Sequence, residues 1–154
     1  MNVFIMRHGE AGSFAISDAE RTLTQRGEQQ SLEVAKSVVG QGVSHFDLVL
    51  VSPYIRAQQT WDVIKDQFSA TKVEECVDIT PYGQSDDVYQ YVCAIADTQQ
   101  PKSILLVSHL PLVGYLTAEF VNDMSAPMFP TSGFAAIDFD LESSNGELMW
   151  HIAP

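Results

Sequence analysis

Positive charge is what this chain has least of. It carries eight Lys and Arg residues against 20 Asp and Glu, a formal net charge of −12 over 154 residues. A surface that acidic repels a phosphate backbone, which excludes nucleic acid as a partner. Cysteine is also sparse. Cys76 and Cys93 form no CxxC pair, so the sequence predicts reduced thiols in the cytoplasm rather than a disulfide framework or a zinc site. No apolar run reaches the roughly 20 residues that span a bilayer. No basic segment followed by an apolar stretch opens the chain, so neither membrane insertion nor a signal peptide is expected. Internal repeats, low-complexity segments and linkers are absent, and so is the GxxxxGK[ST] spelling of a phosphate-binding P-loop.

What remains is ordinary globular composition, 45% hydrophobic and 18% charged, in a length that suits one domain over residues 1–154. The pattern alternates strand and helix. Residues 2–6 (NVFIM) read as a strand, and Thr24 as the N-cap of a helix over 25–39 with Glu28 early in it. "DLVLVS" at 47–52 and "SILLVS" at 103–108 are continuous apolar runs, as in strands buried on both faces. Pro53, with Ser52 as its cap, is expected to open a helix to about residue 68. A short strand at 72–76, a helix over 85–98 and a helix from Pro111 to about 120 follow. Strands at 134–140 and 147–152, joined by "SSNG", close the chain. Alternating β and α units with apolar strands predict a three-layer α/β/α sandwich around a mostly parallel sheet.

In such sheets ligands bind beyond the carboxyl ends of the strands, and the few cations collect there. The first strand runs into Arg7-His8-Gly9, the second leads through Ser52-Pro53 to Arg56, and the 103–108 strand ends at Ser108-His109. Charges buried at strand tips need an anionic partner. Either an internal carboxylate, Glu10 or Asp18, pairs with Arg7 and His8, or the anion is a ligand. Arginine forks bind phosphate bidentately, and histidine works as nucleophile or acid/base near neutral pH. Together they point to phosphoryl transfer. Like charge from the arginines should depress the pKa of His8 and keep it nucleophilic.

Other phosphatase chemistries fit poorly. A cysteine nucleophile needs Arg six residues on, where this chain has Tyr82 and Gln99. Metal-dependent hydrolysis needs clustered Asp and His ligands that the strand ends do not offer, so no metal and no cofactor is expected. The DxD spelling "DFD" at 138–140 lies in the terminal hairpin, the wrong place for an aspartate nucleophile.

Four pieces in order, "MRHGE" at 6–10, "LTQRG" at 23–27, "SPYIRAQQT" at 52–60 and "VSHLPLVGYL" at 107–116, resemble the histidine phosphatase superfamily. With "PMFPTSG", the chain is most similar to the SixA-type bacterial phosphohistidine phosphatases. The resemblance implies a phosphoglycerate-mutase-like fold and a covalent phosphohistidine intermediate. His8 would be the nucleophile, with Arg7, Arg56 and His109 completing the phosphate pocket. Arg21 would be a further phosphate ligand, although it could instead pair with Glu20 or Asp18. Gly9, lacking a side chain, would let its loop approach phosphate. Asp78 is the closest positional match for a proton donor, with Asp86 and Asp87 as rivals. Some fifty residues separate Arg56 from His109, too few for a lid, so an open pocket is expected. The implied substrate is the phosphorylated histidine-phosphotransfer domain of a sensor kinase, met by a monomer. A small-molecule phosphate monoesterase and a non-catalytic phosphoprotein-binding module are the alternatives.

Overall fold

The computed structural model describes residues 1–154. Six strands form one sheet: β1 (Asn2–Arg7), β2 (His45–Val51), β3 (Ser69–Glu75), β4 (Ser103–Ser108), β5 (Phe134–Asp140) and β6 (Asn145–Ile152). Four helices connect them: α1 (Gln25–Gly40), α2 (Ile55–Ile64), α3 (Ser85–Gln99) and α4 (Leu112–Phe120). The strand order is β3-β2-β4-β1-β5-β6. The β3–β2, β2–β4 and β4–β1 pairs are parallel, and β5 and β6 join antiparallel.

Alternation along each strand builds the layers. Phe4, Met6, Val49, Val51, Leu105 and Val107 face α1 and α2, packing with Val34, Val38, Trp61 and Ile64. Their neighbours Val3, Ile5, Leu48, Leu50, Ile104 and Leu106 face α3 and α4, against Val92, Leu112, Leu116 and Phe120. Because both faces are covered, β4 is buried at every position, as its unbroken apolar text requires. β3, at the sheet edge, is largely exposed and polar, with Lys72 and Glu74 paired on it.

Thr24 caps α1 as predicted, its Oγ1 accepting the Gly27 N–H at 3.0 Å. The second helix differs from expectation. It starts at Ile55, two residues after Pro53, and a tighter 3-10 turn over Lys65–Gln67 replaces its predicted end. Ser52 does not cap it: its hydroxyl accepts only the Tyr54 N–H and turns instead toward β4. No helix is long and apolar enough to cross a membrane.

The order β2-β4-β1 matters most for function. The chain leaves β1, builds β2 two places away and extends outward to β3. It then returns to insert β4 between β2 and β1. Arg7 is in register with Ser108 and Val51 with Val107, so three strand tips end side by side with β4 in the middle.

Candidate active site

Those tips carry His8, Ser52 and His109, and α2 brings Arg56 back over them one turn after β2. The backbone of His8 is held on two sides. Its N–H donates to Ser108 O at 3.0 Å, and its carbonyl accepts the Ser132 N–H at 3.0 Å. Its ring is 7% exposed. Nδ1 lies 2.7 Å from Gly9 O; a carbonyl only accepts, so Nδ1 carries the proton and Nε2 is left with its lone pair. Arg56 Nε donates to that atom at 3.2 Å, which agrees with the same tautomer.

Both imidazoles are held neutral. Burial, first, pushes the pKa of His8 down to about 4; the Gly9 carbonyl opposes this, and the positive charges of Arg56, Arg7 and Arg21 lower it further. The depression expected from like charge is therefore present, but desolvation leads it. His109, 5.0 Å from His8 between ring centroids, is lowered to about 2 by burial, then by His8 and Arg56. Its Nε2 meets Ser52 Oγ at 2.7 Å, and its buried Nδ1 has no partner in the protein.

Arg7 sends Nη1 to Phe129 O at 2.8 Å, while its buried Nε is unpartnered. Neither Arg7 nor His8 pairs with a carboxylate. The carboxylate that does enter belongs to Asp18. Arg56, 4% exposed, donates from Nη1 to Asp18 O at 2.6 Å and from Nη2 to Asp18 Oδ2 at 3.2 Å. Arg21 donates to Asp18 Oδ1 at 3.0 Å and to Gly12 O at 2.8 Å. Arg21 holds the Asp18 carboxyl below the usual carboxylate range, with Arg56 adding to the effect. One acidic side chain thus spans two guanidinium groups beside a nitrogen lone pair. That arrangement suits a tetrahedral oxyanion, which offers more acceptor atoms to the same donors.

The family model for the histidine phosphatase superfamily (branch 1) matches residues 3–79. Phosphohistidine phosphatase SixA of Escherichia coli is 41% identical, the match covering 100% of this chain and 94% of that protein. A Haemophilus influenzae SixA homolog is 36% identical, with 99% and 96% covered. The chain belongs to the histidine phosphatase superfamily. A solved SixA complexed with tungstate superposes with a TM-score of 0.93 at 41% identity, covering 100% of this chain and 97% of that one.

Within this superfamily frame, four expected residues (Arg7, His8, Arg56 and His109) lie together, and Arg21 reaches the group through Asp18. Gly9 sits beside them, packed against α1. A Cβ there would meet Ser31 Oγ at 2.6 Å and Gly27 O at 2.9 Å, so its bareness serves the close approach of α1. Gly27 reciprocates, since a Cβ on it would collide with the Glu10 carbonyl. Glu10 belongs to this joint: its Oε1 accepts the Thr24 hydroxyl at 2.9 Å, and its carbonyl accepts the Thr24 N–H at 2.9 Å. It braces the start of α1 and pairs with none of Arg7, Arg21 and Arg56; its one ion pair is with Arg26.

Asp78 is not brought to the histidines. It lies exposed on a short turn whose Ile79 carbonyl accepts the Ser108 hydroxyl at 2.7 Å. With Tyr82 and Asp87 it lines a separate hollow of about 210 Å³ that none of the site arginines or histidines enters. Asp86 and Asp87 open α3 and bond no site residue. No group of three or more His, Cys, Asp or Glu residues is placed to hold a metal ion.

Three supporting residues escaped the sequence reading although two of them stand in "SPYIRAQQT". Thr60 is fully buried; its hydroxyl donates to Arg56 O at 2.7 Å and accepts the Gly9 N–H at 3.0 Å. It ties the turn carrying Arg56 to the loop that follows His8. Ser52 contacts His109. Ser132, from "PTSG", has a positive φ of 64° while completely buried. That backbone costs a non-glycine residue on the order of 1 kcal/mol or more, and its N–H and its hydroxyl contact with Ser31 at 2.7 Å support His8 from behind. Spacing made the motif visible, but the partner of each hydroxyl depends on distant segments.

Proposed function

We propose that this protein is a phosphohistidine phosphatase acting on a phosphorylated protein, the histidine-phosphotransfer domain of a sensor kinase, through a covalent intermediate on His8. The observation that carries the reading is the unprotonated Nε2 of a buried, neutral His8 beside the buried Arg56 guanidinium. Binding alone would need cations and no such lone pair. The names of the full-length relatives point the same way.

In this mechanism Arg7, Arg21 and Arg56 take the phosphoryl oxygens, with Asp18 yielding its contacts to the incoming anion. His8 Nε2 attacks phosphorus in line while the P–N bond of the substrate breaks, and the departing imidazole leaves carrying a proton. Ring protonation before cleavage makes imidazole a good leaving group, which removes the need for a carboxylic acid at the position of Asp78. Water then attacks the phosphoenzyme, releasing inorganic phosphate and restoring His8. No metal ion or cofactor takes part.

The mouth of the site favours a folded substrate. Between Arg56 and His109 the chain is taken up by α2, β3, α3 and β4 with only short connections, and the segment lying over Arg56 is the one that carries Asp18. The loop that carries Asp18 also carries Phe14 and Ile16, 99% and 94% exposed, and Tyr82 stands 76% exposed on the neighbouring turn. Side chains of that kind give contact area to a protein surface. Two free cysteines, one of them buried, fit a reducing compartment such as the cytoplasm.

The test is loss of label from a radiolabelled phosphohistidine protein, run beside His8→Ala and with EDTA present. Turnover by the wild type, none by the variant, and an acid-labile phosphoenzyme trapped only on the former are expected. Turnover of simple phosphate esters with no action on the phosphoprotein would instead indicate a monoesterase. Label trapped on His8→Ala would move the nucleophile elsewhere, and metal-dependent turnover would sink the mechanism.

A further inference from the structure

Ser52 sits at the tip of β2 with no exposed surface. Its N–H extends the β2–β4 ladder by donating to Val107 O at 3.1 Å, which brings its side chain against the residue that follows β4. Ser52 Oγ lies 2.7 Å from His109 Nε2 and accepts the Tyr54 N–H at 3.2 Å. A hydroxyl has one proton, and an amide N–H can only donate. The Tyr54 contact therefore occupies a lone pair and leaves the hydroxyl proton free for one partner, and His109 Nε2 is the partner in reach.

Two arrangements are possible. If Ser52 donates to Nε2, the proton of neutral His109 sits on Nδ1, the buried atom without a protein partner, and a single N–H donor is left over. If His109 donates from Nε2, two buried groups are left over: the Ser52 hydroxyl proton and the Nδ1 lone pair. Each buried polar group without a partner carries a desolvation cost, so the first arrangement is favoured. Its leftover group also has the right sign, because an N–H attracts a phosphoryl oxygen and a lone pair repels it.

We propose that Ser52 is a positioning residue that fixes the tautomer of His109, so that the neutral ring offers Nδ1–H to a phosphoryl oxygen. The inference rests on the reading above that an oxyanion binds between the two histidines and the arginines, but the tautomer itself is a property of the free protein. Burial and the neighbouring His8 and Arg56 keep His109 uncharged, so the location of its one ring proton decides whether it welcomes or repels an anion. Without Ser52 the proton could occupy either nitrogen. An energetically even choice would leave part of the population facing the anion with a lone pair.

Long-range proton–nitrogen correlation spectra of ¹⁵N-labelled protein read the tautomer directly. In the wild type, His109 should show a protonated Nδ1 and a bare Nε2 between pH 6 and 8, and tungstate should shift the Nδ1 resonance. Ser52→Ala should give a mixed or reversed tautomer and bind tungstate more weakly, about twofold for an even mixture and roughly tenfold where the reversed tautomer dominates and the hydrogen bond is lost. Its kcat should fall more than KM rises, since phosphoryl contacts tighten in the transition state. Ser52→Thr keeps the hydroxyl and should keep both the tautomer and the affinity. A wild-type ring protonated at Nε2 overturns the proposal, as does Ser52→Ala with unchanged tautomer and tungstate affinity. If Ser52→Ala does not fold, the wild-type and Ser52→Thr spectra still decide. Failure to turn over a phosphohistidine protein would refute the proposed function and leave these spectra untouched.

Discussion

Acidification tests the electrostatics of His8 without requiring a substrate. The folded ring titrates at about 4, whereas in an unfolded chain an imidazole titrates near about 6.5. A lowered folded pKa means that the unfolded state takes up protons first as pH falls. Stability contributed by the neutral ring is therefore intact above about pH 6.5 and is lost progressively as pH drops toward 4. Between pH 7 and pH 5 the difference in proton binding costs about 2 kcal/mol for His8 alone, from the linkage relation with those two pKa values. At 7% exposure the ring needs no solvent discount. His109 adds loss of the same sign over the same window, and the carboxylates add their own. A variant that cannot take up the proton isolates the His8 share. His8→Asn should lose about 2 kcal/mol less than the wild type between pH 7 and 5, because both proteins carry the other titrations. Urea unfolding followed by the fluorescence of Trp61 on α2 and Trp150 on β6, which pack in the same apolar layer, measures this. Equal losses in the two proteins would refute a buried, neutral His8, as would a His8 resonance titrating near pH 6.5. A confirmed shift has a functional meaning: His8 Nε2, the nucleophile in the proposed mechanism, stays unprotonated across all physiological pH.

Three further outcomes follow from particular contacts. Asp18→Asn keeps the shape that faces Arg56 and Arg21 but removes the competing charge; at low salt, tungstate or phosphate should bind about tenfold more tightly, of the order expected for one unit charge near a protein surface, and competition titration reads it. Gly27→Ala sets a methyl against the Glu10 carbonyl, so thermal melting should show a loss of about 1–3 kcal/mol, the usual range for overpacking; an unchanged melting temperature would contradict the tight joint between α1 and the loop after His8. Phe14→Ser with Ile16→Ser should change stability by no more than about 0.5 kcal/mol. It should raise KM for a phosphohistidine protein while leaving a small phosphoramidate unaffected, and equal effects on both substrates would argue against a docking role for that loop.

The fold was readable because its signals are local. β4 announces itself as four large apolar residues in a row, Ile104 to Val107, and β1 and β2 do so nearly as clearly. The cap at Thr24 needs only its own hydroxyl and the N–H three residues on. The weak spots were also physical. β3 lies at the sheet edge, where alternation with exposed Lys72 and Glu74 dilutes the strand pattern, so its start at Ser69 was missed. Pro53 is compatible with a first helical turn, yet the chain spends Pro53 and Tyr54 bridging from β2 before α2 begins at Ile55.

For the site, ordered motifs sufficed to name Arg7, His8, Arg56 and His109 and to expect them at one sheet edge. The sequence by itself determined which residues are chemically able to handle an oxyanion, because arginine and histidine at strand ends carry that ability wherever they fold. Tertiary structure decided how they divide the work. It chose burial over like charge as the main cause of neutral histidines, since desolvation depends on what packs around a ring. It brought Asp18 rather than Glu10 to the arginines, set Gly9 against α1, and spent the Ser52 hydroxyl on His109 instead of on a helix. Each of those choices is a pairing between segments far apart in the chain. A hydrogen bond or a desolvation cost exists only once both sides are in place, and no single stretch of sequence contains both.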